Sequence, residues 1–272
     1  MRRFAPPLLG GSLNARSLGR LALFLALVGG CETPPPAAQE IRPAEELWAQ
    51  AEKTREGWHL LGIRWVDHAK AIETYQAIID NYPYSDYAVR AELAIADAYF
   101  DDGKWEEALS YYRDFADLHP GSDQVGYAIY RAALCHGQQV FAPYRDQAHT
   151  RDALVFLDRL LRDHSDSTYA DDAELLWRSL RTQLAQQILG IADFYRGRDE
   201  WEAAAERYRT LLNEYPGLGL DAEALYKLAL CYWEMDRRVE AERILLAIVQ
   251  NYRESDFAEE AKDRLAAGGA GG

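Results

Sequence analysis

Cysteine is scarce in this chain, which excludes a fold held together by disulfides: there are three in 272 residues, far below the density of stapled scaffolds. Cys135 and Cys231 fall at equivalent places in two units of an internal repeat, two units apart. Helices stacked about 8–10 Å apart put such sites beyond the ~7 Å reach of a bridge, so both read as small buried apolar residues. Metal-ligand spacing is missing too. The six histidines, His59, His68, His119, His136, His149 and His164, include no His-Glu-x-x-His pair, and no glycine-rich loop could cradle a phosphate. The acidic pairs Glu106-Glu107 and Glu259-Glu260 are adjacent on helices and so do not face one another. No catalytic residue, metal or cofactor is expected, and the chain reads as a binding protein rather than an enzyme.

Positive charge and long apolar runs are also in short supply. The net charge is −14, and Arg2, Arg3, Arg16 and Arg20 are the only charges among the first thirty residues. Without those four arginines the chain is more acidic still. Such a surface argues against nucleic acid as a partner and against electrostatic docking on anionic lipid. Past residue 31 no apolar stretch approaches the ~20 residues needed to span a bilayer.

What the chain does have is a repeat, clearest in Trp105–Pro120. Its apolar residues Trp105, Ala108, Leu109, Tyr112, Phe115 and Ala116 stand at offsets 0, 3, 4, 7, 10 and 11, the stripe of one helical face. The same offsets recur from His68, Thr150, Trp201 and Arg238, and the offset-3 residue is alanine each time: Ala71, Ala108, Ala153, Ala204 and Ala241. Alanine there suits close approach of two helices. Upstream of Ala108, Ala96, Tyr99 and Gly103 lie 12, 9 and 5 residues before it, and Pro120 lies 12 after. This arrangement resembles the tetratricopeptide repeat. Helix A then ends at Asp101-Asp102-Gly103, where glycine can take the left-handed position. Helix B opens on Glu106 and Glu107, which favour its macrodipole, and stops before Pro120, with Ser122 or Asp123 able to cap the next helix.

Taken in order, residues 1–30 read as a lipoprotein signal peptide. Arg16 and Arg20 precede the short apolar run Leu21–Val28, and Leu27-Val28-Gly29-Gly30-Cys31 resembles a lipobox. Cys31 is the expected lipidation site, and two or more acyl chains give a stable anchor. The resemblance to a lipobox implies that aspartate after the cysteine would favour retention in the inner membrane, so Glu32 leans toward the outer one. Residues 31–43 form a lipidated tether rich in proline. Residues 44–267 make an all-α tetratricopeptide-repeat α-solenoid of five helix pairs plus a C-terminal capping helix, Ser255–Ala267, and 268–272 are a flexible tail. Two repeats are stretched, with 20 residues between the paired alanines instead of 12: Ala51 to Ala71, and Ala133 to Ala153. In the first, which holds Trp58 and Trp65, the extra residues either prolong the two helices, the favoured reading, or form an apolar loop at the mouth of the solenoid; such an exposed patch would mark a binding site. In the third, Phe141–Gln147 contains proline and mixed charge and is a loop. In the fourth, Asp171–Tyr195 has no proline and reads as one helix of roughly 37 Å at 1.5 Å per residue.

The segment Tyr112–Ala173 narrows the reading. Tyr112-Arg113-Asp114-Phe115, Leu118-His119-Pro120, Tyr127-Ala128-x-Tyr130-Arg131, Tyr144-Arg145-Asp146-Gln147, Thr150-Arg151-x-Ala153 and Ser167-x-Tyr169-Ala170 occur in this order. Together with the lipobox, five repeats, third-repeat loop and long fourth-repeat helix, they resemble the BamD family, outer-membrane lipoproteins of the β-barrel assembly machinery. Tyr144, His164-Ser165 and the Trp58–Trp65 segment depart from the family's usual pattern. The resemblance implies a scaffold on the periplasmic face of the outer membrane. Its C-terminal repeats would bind the POTRA part of a BamA-like β-barrel insertase, and its N-terminal repeats unfolded outer membrane proteins. The alternative is a general repeat lipoprotein of the envelope, serving the Tol-Pal system or peptidoglycan synthesis. Partner-binding candidates are Tyr144, Arg145, Asp146, Gln147, Arg196 and Arg198; substrate-binding candidates are Trp58 and Trp65. For the loop, pinning by Arg145 and Asp146 through charge-assisted hydrogen bonds competes with direct contact to a partner. If Cys31 carries the anchor, Cys31→Ala yields a soluble, unlipidated protein; continued membrane association at high salt would refute the anchor.

Overall fold

The computed structural model describes residues 42–269, apart from Leu61, Phe141, Pro143 and Tyr144. The expected signal peptide, Cys31, most of the expected tether and Tyr144 lie outside the described residues. Among the described residues, eleven helices and one hairpin come in order: α1 (Ala44–Glu56), β1 (Trp58–Leu60), β2 (Ile63–Trp65), α2 (His68–Asn81), α3 (Asp86–Asp101), α4 (Trp105–Leu118), α5 (Val125–Gly137), α6 (Ala148–Asp163), α7 (Ala170–Arg196), α8 (Trp201–Glu214), α9 (Asp221–Glu234), α10 (Arg238–Asn251) and α11 (Asp256–Gly269). Each helix packs on the one after it, and α1 with α3 and α9 with α11 also touch. That is the helix-A, helix-B, next-helix-A contact pattern of an α-solenoid of five pairs and a cap. No helix among the described residues is long and apolar enough to cross a membrane.

The repeat stripe is the interior. Offsets 3, 7 and 10 are buried in every copy: Ala71, Tyr75 and Ile78; Ala108, Tyr112 and Phe115; Ala153, Leu157 and Leu160; Ala204, Tyr208 and Leu211; Ala241, Leu245 and Ile248. Their partners on the A helices are again alanines, Ala51, Ala96, Ala133, Ala192 and Ala229, all buried. Offset 4 is half-buried at Ile72, Leu109 and Leu154, so the sealed seam is narrower than the apolar pattern. Both cysteines of the described chain are free and buried. Burial pushes the Cys135 thiol up to about 12 and that of Cys231 to about 11, as expected of packing residues.

The turns obey the same economy. Gly103 has φ +75°, and Asp199 and Asp236 take φ 61° and 59° at the same distance, five residues, before their helix-B alanines. Aspartate is among the few non-glycine residues that tolerate this region. Gly197, two residues earlier, is right-handed at φ −69°. Each B helix closes identically, with the amides of Tyr82, His119, His164, Tyr215 and Tyr252 donating to the offset-10 carbonyl. Ser85 then caps α3 through the Ala88 amide. Ser122 acts one step earlier than expected, accepting from Gln124 N at 3.2 Å, and α5 has no side-chain cap.

The expectation that extra residues in the first repeat prolong its helices is wrong. Helix α1 stops at Glu56, Gly57 turns with φ 71°, and an antiparallel hairpin pairs Trp58 with Trp65, His59 with Arg64 and Leu60 with Ile63. Only glycine fits at 57, because a Cβ would stand 2.2 Å from the Trp65 carbonyl oxygen. The long fourth-repeat helix and the third-repeat loop are present as expected. Helix α7 has 27 residues, about 40 Å. Its first half lends Ala173 and Leu180 to one interior cluster, and its second half lends Ala185, Leu189 and Ala192 to the next. Because Ala108 is fully buried at the helix contact, Ala108→Leu should overpack it and cost about 1–3 kcal/mol. A thermal melt unchanged from the parent would show that the contact has room.

Candidate functional site

Four regions carry the side chains that can meet a partner. The first is the hairpin. Trp58 and Trp65 are a directly opposed cross-strand pair, so their indoles share one face, stacked with centroids 5.9 Å apart and 15° between planes. They remain 57% and 53% exposed, a large rigid apolar surface of the kind that anchors interfaces. Beside them runs a groove lined by Lys53, Thr54, Val66 and Lys70. The rim is of mixed charge, since Asp67 and Asp102 also line it. Trp58 and Trp65 are thus brought together by a strand pairing that the helical period of the sequence does not announce.

The second region is a polar staple between repeats. Asp97 Oδ1 on α3 accepts from the hydroxyls of Tyr112 on α4 and Tyr127 on α5, each at 2.5 Å. Arg131 Nη2 lies 3.7 Å from the same carboxylate, its Nε donates to Tyr112 Oη at 3.1 Å, and its guanidinium stacks over Phe100 at 4.0 Å. Arg55, from α1, completes the ring at 3.9 Å from Oδ2. Burial foremost, then the charge of Asp97, raises the Tyr112 and Tyr127 hydroxyls well above the usual phenol range. They stay protonated donors. The fourth repeat rebuilds the device: Tyr208 donates to Asp193 at 2.6 Å and Lys227 at 2.7 Å. Burial alone would raise the Asp193 carboxyl, but bonds from Lys227 and Tyr208 hold it below the usual carboxylate range. In both staples the acid comes directly after the helix-A alanine, and the cation precedes the next such alanine by two. In the third and fifth repeats acid and tyrosine are replaced together by leucines, Leu134 with Leu157 and Leu230 with Leu245.

The third region is the insert between α5 and α6. Gln147, 1% exposed, organises it. Its amide nitrogen donates to the Ala142 and Arg145 carbonyls at 3.0 and 3.2 Å, and its carbonyl accepts from Thr150 Oγ1 at 2.8 Å and Gln183 Nε2 at 2.9 Å. Gln187 on α7 reaches the Arg145 carbonyl at 3.2 Å. Asp146 accepts from the Ala148 amide just before α6, at 3.0 Å. Gln147 thus joins Arg145 and Asp146 in holding the loop: Asp146 accepts locally from the Ala148 amide, and the Arg145 carbonyl accepts from Gln187 on α7. Arg145 and Asp146 are exposed, so both can face a partner.

The fourth region is the turn after α7. Arg196 is half-buried, with Nε 3.6 Å from Asp193 Oδ1, so it belongs to the staple of its own repeat. Arg198 is exposed, 3.3 Å from Glu200 and 5.4 Å from the centre of the Phe194 ring. Phe194 is itself 59% exposed and lies one turn beyond Ile191, also exposed. An arginine beside an uncovered aromatic is a characteristic interface pair. The structure thus separates two arginines that stand almost side by side in the sequence.

A stack of helix pairs with apolar and cationic groups exposed on its turns and loops defines a tetratricopeptide-repeat scaffold. Its relatives agree. The chain belongs to the outer membrane lipoprotein family YfiO, whose sequence pattern matches residues 62–245. It is similar to the outer membrane protein assembly factors BamD of Caulobacter vibrioides, 27% identical over 81% of this chain and 71% of that one, and of Vibrio cholerae, 27% identical over 75% and 84%. The BamD of Rickettsia prowazekii is 25% identical over 88% of this chain and 92% of its own. For the insert, Gln147→Ala strips four partners of a buried amide, and an unsatisfied buried polar group costs about 1–3 kcal/mol. We expect a lower melting temperature for Gln147→Ala than for Arg145→Ala, which keeps the main-chain bond to Gln187; the reverse order would move the pin to Arg145.

Proposed function

We propose that this protein is an assembly scaffold for outer membrane proteins, held by its lipid anchor on the periplasmic face of the outer membrane. The observation that carries this is the family match across residues 62–245, which runs from β2 through the insert and the long helix into α10. In this reading the exposed end of α7, with Phe194 and Arg198, contacts the POTRA part of the insertase. The stacked indoles of Trp58 and Trp65 receive apolar side chains of unfolded outer membrane proteins. The exposed residues Arg145 and Asp146 offer a further contact from a loop already rigidified by Gln147.

The division of labour rests on physical grounds. Stacked tryptophans offer area without demanding sequence, which suits many clients with alternating apolar strands. An arginine beside an aromatic offers a planar, bidentate partner for a carboxylate, which suits one defined protein. Copurification of the mature chain from membranes tests the whole reading, with the insertase expected as the main partner. Arg198→Glu should weaken binding to the purified periplasmic part of the insertase at least tenfold, about 1.4 kcal/mol, with the helical signal and melting curve intact. Parental affinity in that variant would remove this turn from the interface.

A further inference from the structure

We propose that His136, His149 and Asp152 form a binding site for one borderline transition-metal dication, Zn2+ or a neighbour such as Co2+ or Ni2+. His136 stands in the last turn of α5, while His149 and Asp152 lie one turn apart at the start of α6. The Nδ1 atoms of the two histidines are 3.2 Å apart. Each of the three residues offers one ligand atom, and these atoms lie within 4.8 Å of one another. Among the described residues no other group of three histidine, cysteine or carboxylate side chains meets that condition.

The separation of the imidazoles is the telling quantity. Metal–nitrogen bonds of about 2.0–2.1 Å at tetrahedral angles place two ligating nitrogens about 3.3–3.4 Å apart. The pair already stands at that spacing, and Asp152 can supply the third ligand with a small side-chain rotation. The His136 ring is held by packing on Phe156, with centroids 5.8 Å apart, so it presents its nitrogen from a fixed position. Two imidazoles and one carboxylate select first-row transition dications over Mg2+ or Ca2+, which prefer all-oxygen shells. A fourth position is left for water. Sequence spacing gives no sign of the site, because the histidines are 13 residues apart and meet only when α5 and α6 pair.

The position gives the site a consequence. His136 and His149 flank the two ends of the 138–147 insert. A metal joining them closes the loop at its base, in addition to the hold of Gln147 on α7. The loop that exposes Arg145 and Asp146 would then be fixed at two points.

Co2+ titration of the full chain, freed of metal by chelator and dialysis, tests this. We expect a saturable visible absorption band at one equivalent, displaced by Zn2+. His149→Ala should weaken Co2+ binding by more than about tenfold, the loss caused even by residues behind a metal's ligands. Asp152→Asn, an exposed position whose change does not threaten the fold, should weaken it too and abolish the rise in melting temperature that excess Zn2+ gives the parent. His59→Ala, on the hairpin, should bind as the parent does. Absence of a saturable band, parental affinity in both His149→Ala and Asp152→Asn, or equal loss in His59→Ala would each overturn the site.

Discussion

Paired helices can approach no closer than the side chains between them permit, and here that distance is set by alanine. One alanine from each B helix and one from each A helix, all buried, recur through the stack. A methyl group at the point of nearest approach lets larger residues on either side, tyrosine or leucine at offset 7 and isoleucine, leucine or phenylalanine at offset 10, interlock across the seam. Interiors are packed to crystal-like density, so a larger residue at one alanine would tilt a pair and propagate along every later repeat. The solenoid thus depends on its smallest side chains. In such stacks stability is the sum of units and nearest-neighbour seams, which explains why four clusters line up in place of one central core.

Helix α7 changes that additive picture. It contributes to two successive clusters, so opening the seam on one side of it tugs at the other. The insert reinforces the same helix, since Gln183 and Gln187 hold Gln147 and the Arg145 carbonyl. Arg181 stacks over Trp177 at 4.6 Å and Tyr215 at 5.1 Å and donates to the Glu214 carbonyl, tying α7 to the end of α8. Helix α7 thus joins two successive interior clusters through one continuous helix.

The alanine ladder, the long helix and the loop are legible in the amino-acid order because each is a local pattern: a helical period, an unbroken run, a proline among charges. The hairpin is also local. Trp58-His59-Leu60 and Ile63-Arg64-Trp65 alternate with period two around Leu61-Gly62, a recognised hairpin signal, but the helical period on both sides outweighs it. The left-handed turns at Asp199 and Asp236 are hidden because aspartate has no signature as strong as glycine's, and Gly197 nearby is the more conspicuous residue. Gln147 looks in the sequence like one of four surface residues. Only its four partners, two of them supplied by the loop's own carbonyls and one by α7, make it an interior group. The staples of Asp97 and Asp193 need the paired exchange of acid and tyrosine for two leucines to be noticed across repeats. That signal lies in the sequence but is visible only once the repeat register is known.

The cations of this acidic chain explain where its surface is open. Many arginines are used as flat packing pieces: Arg90 lies 4.2 Å from the centre of the Trp48 ring, Arg131 4.0 Å from Phe100, Arg237 4.3 Å from Tyr232 and Arg238 4.1 Å from Trp233. A guanidinium over an indole is worth about 0.5–1 kcal/mol when exposed and more when desolvated, and it also shields the ring from solvent. Such rings are poor docking surfaces, because a partner must first displace the cation. Trp58 and Trp65 instead stack on each other and stay more than half exposed, which leaves their outer faces open. Phe194 has beside it an arginine that is itself exposed. In an acidic scaffold an uncovered aromatic is where a partner can bury area without first displacing a cation; the Trp58–Trp65 pair and the fully exposed Tyr84 offer that, whereas Phe194 presents its ring together with Arg198.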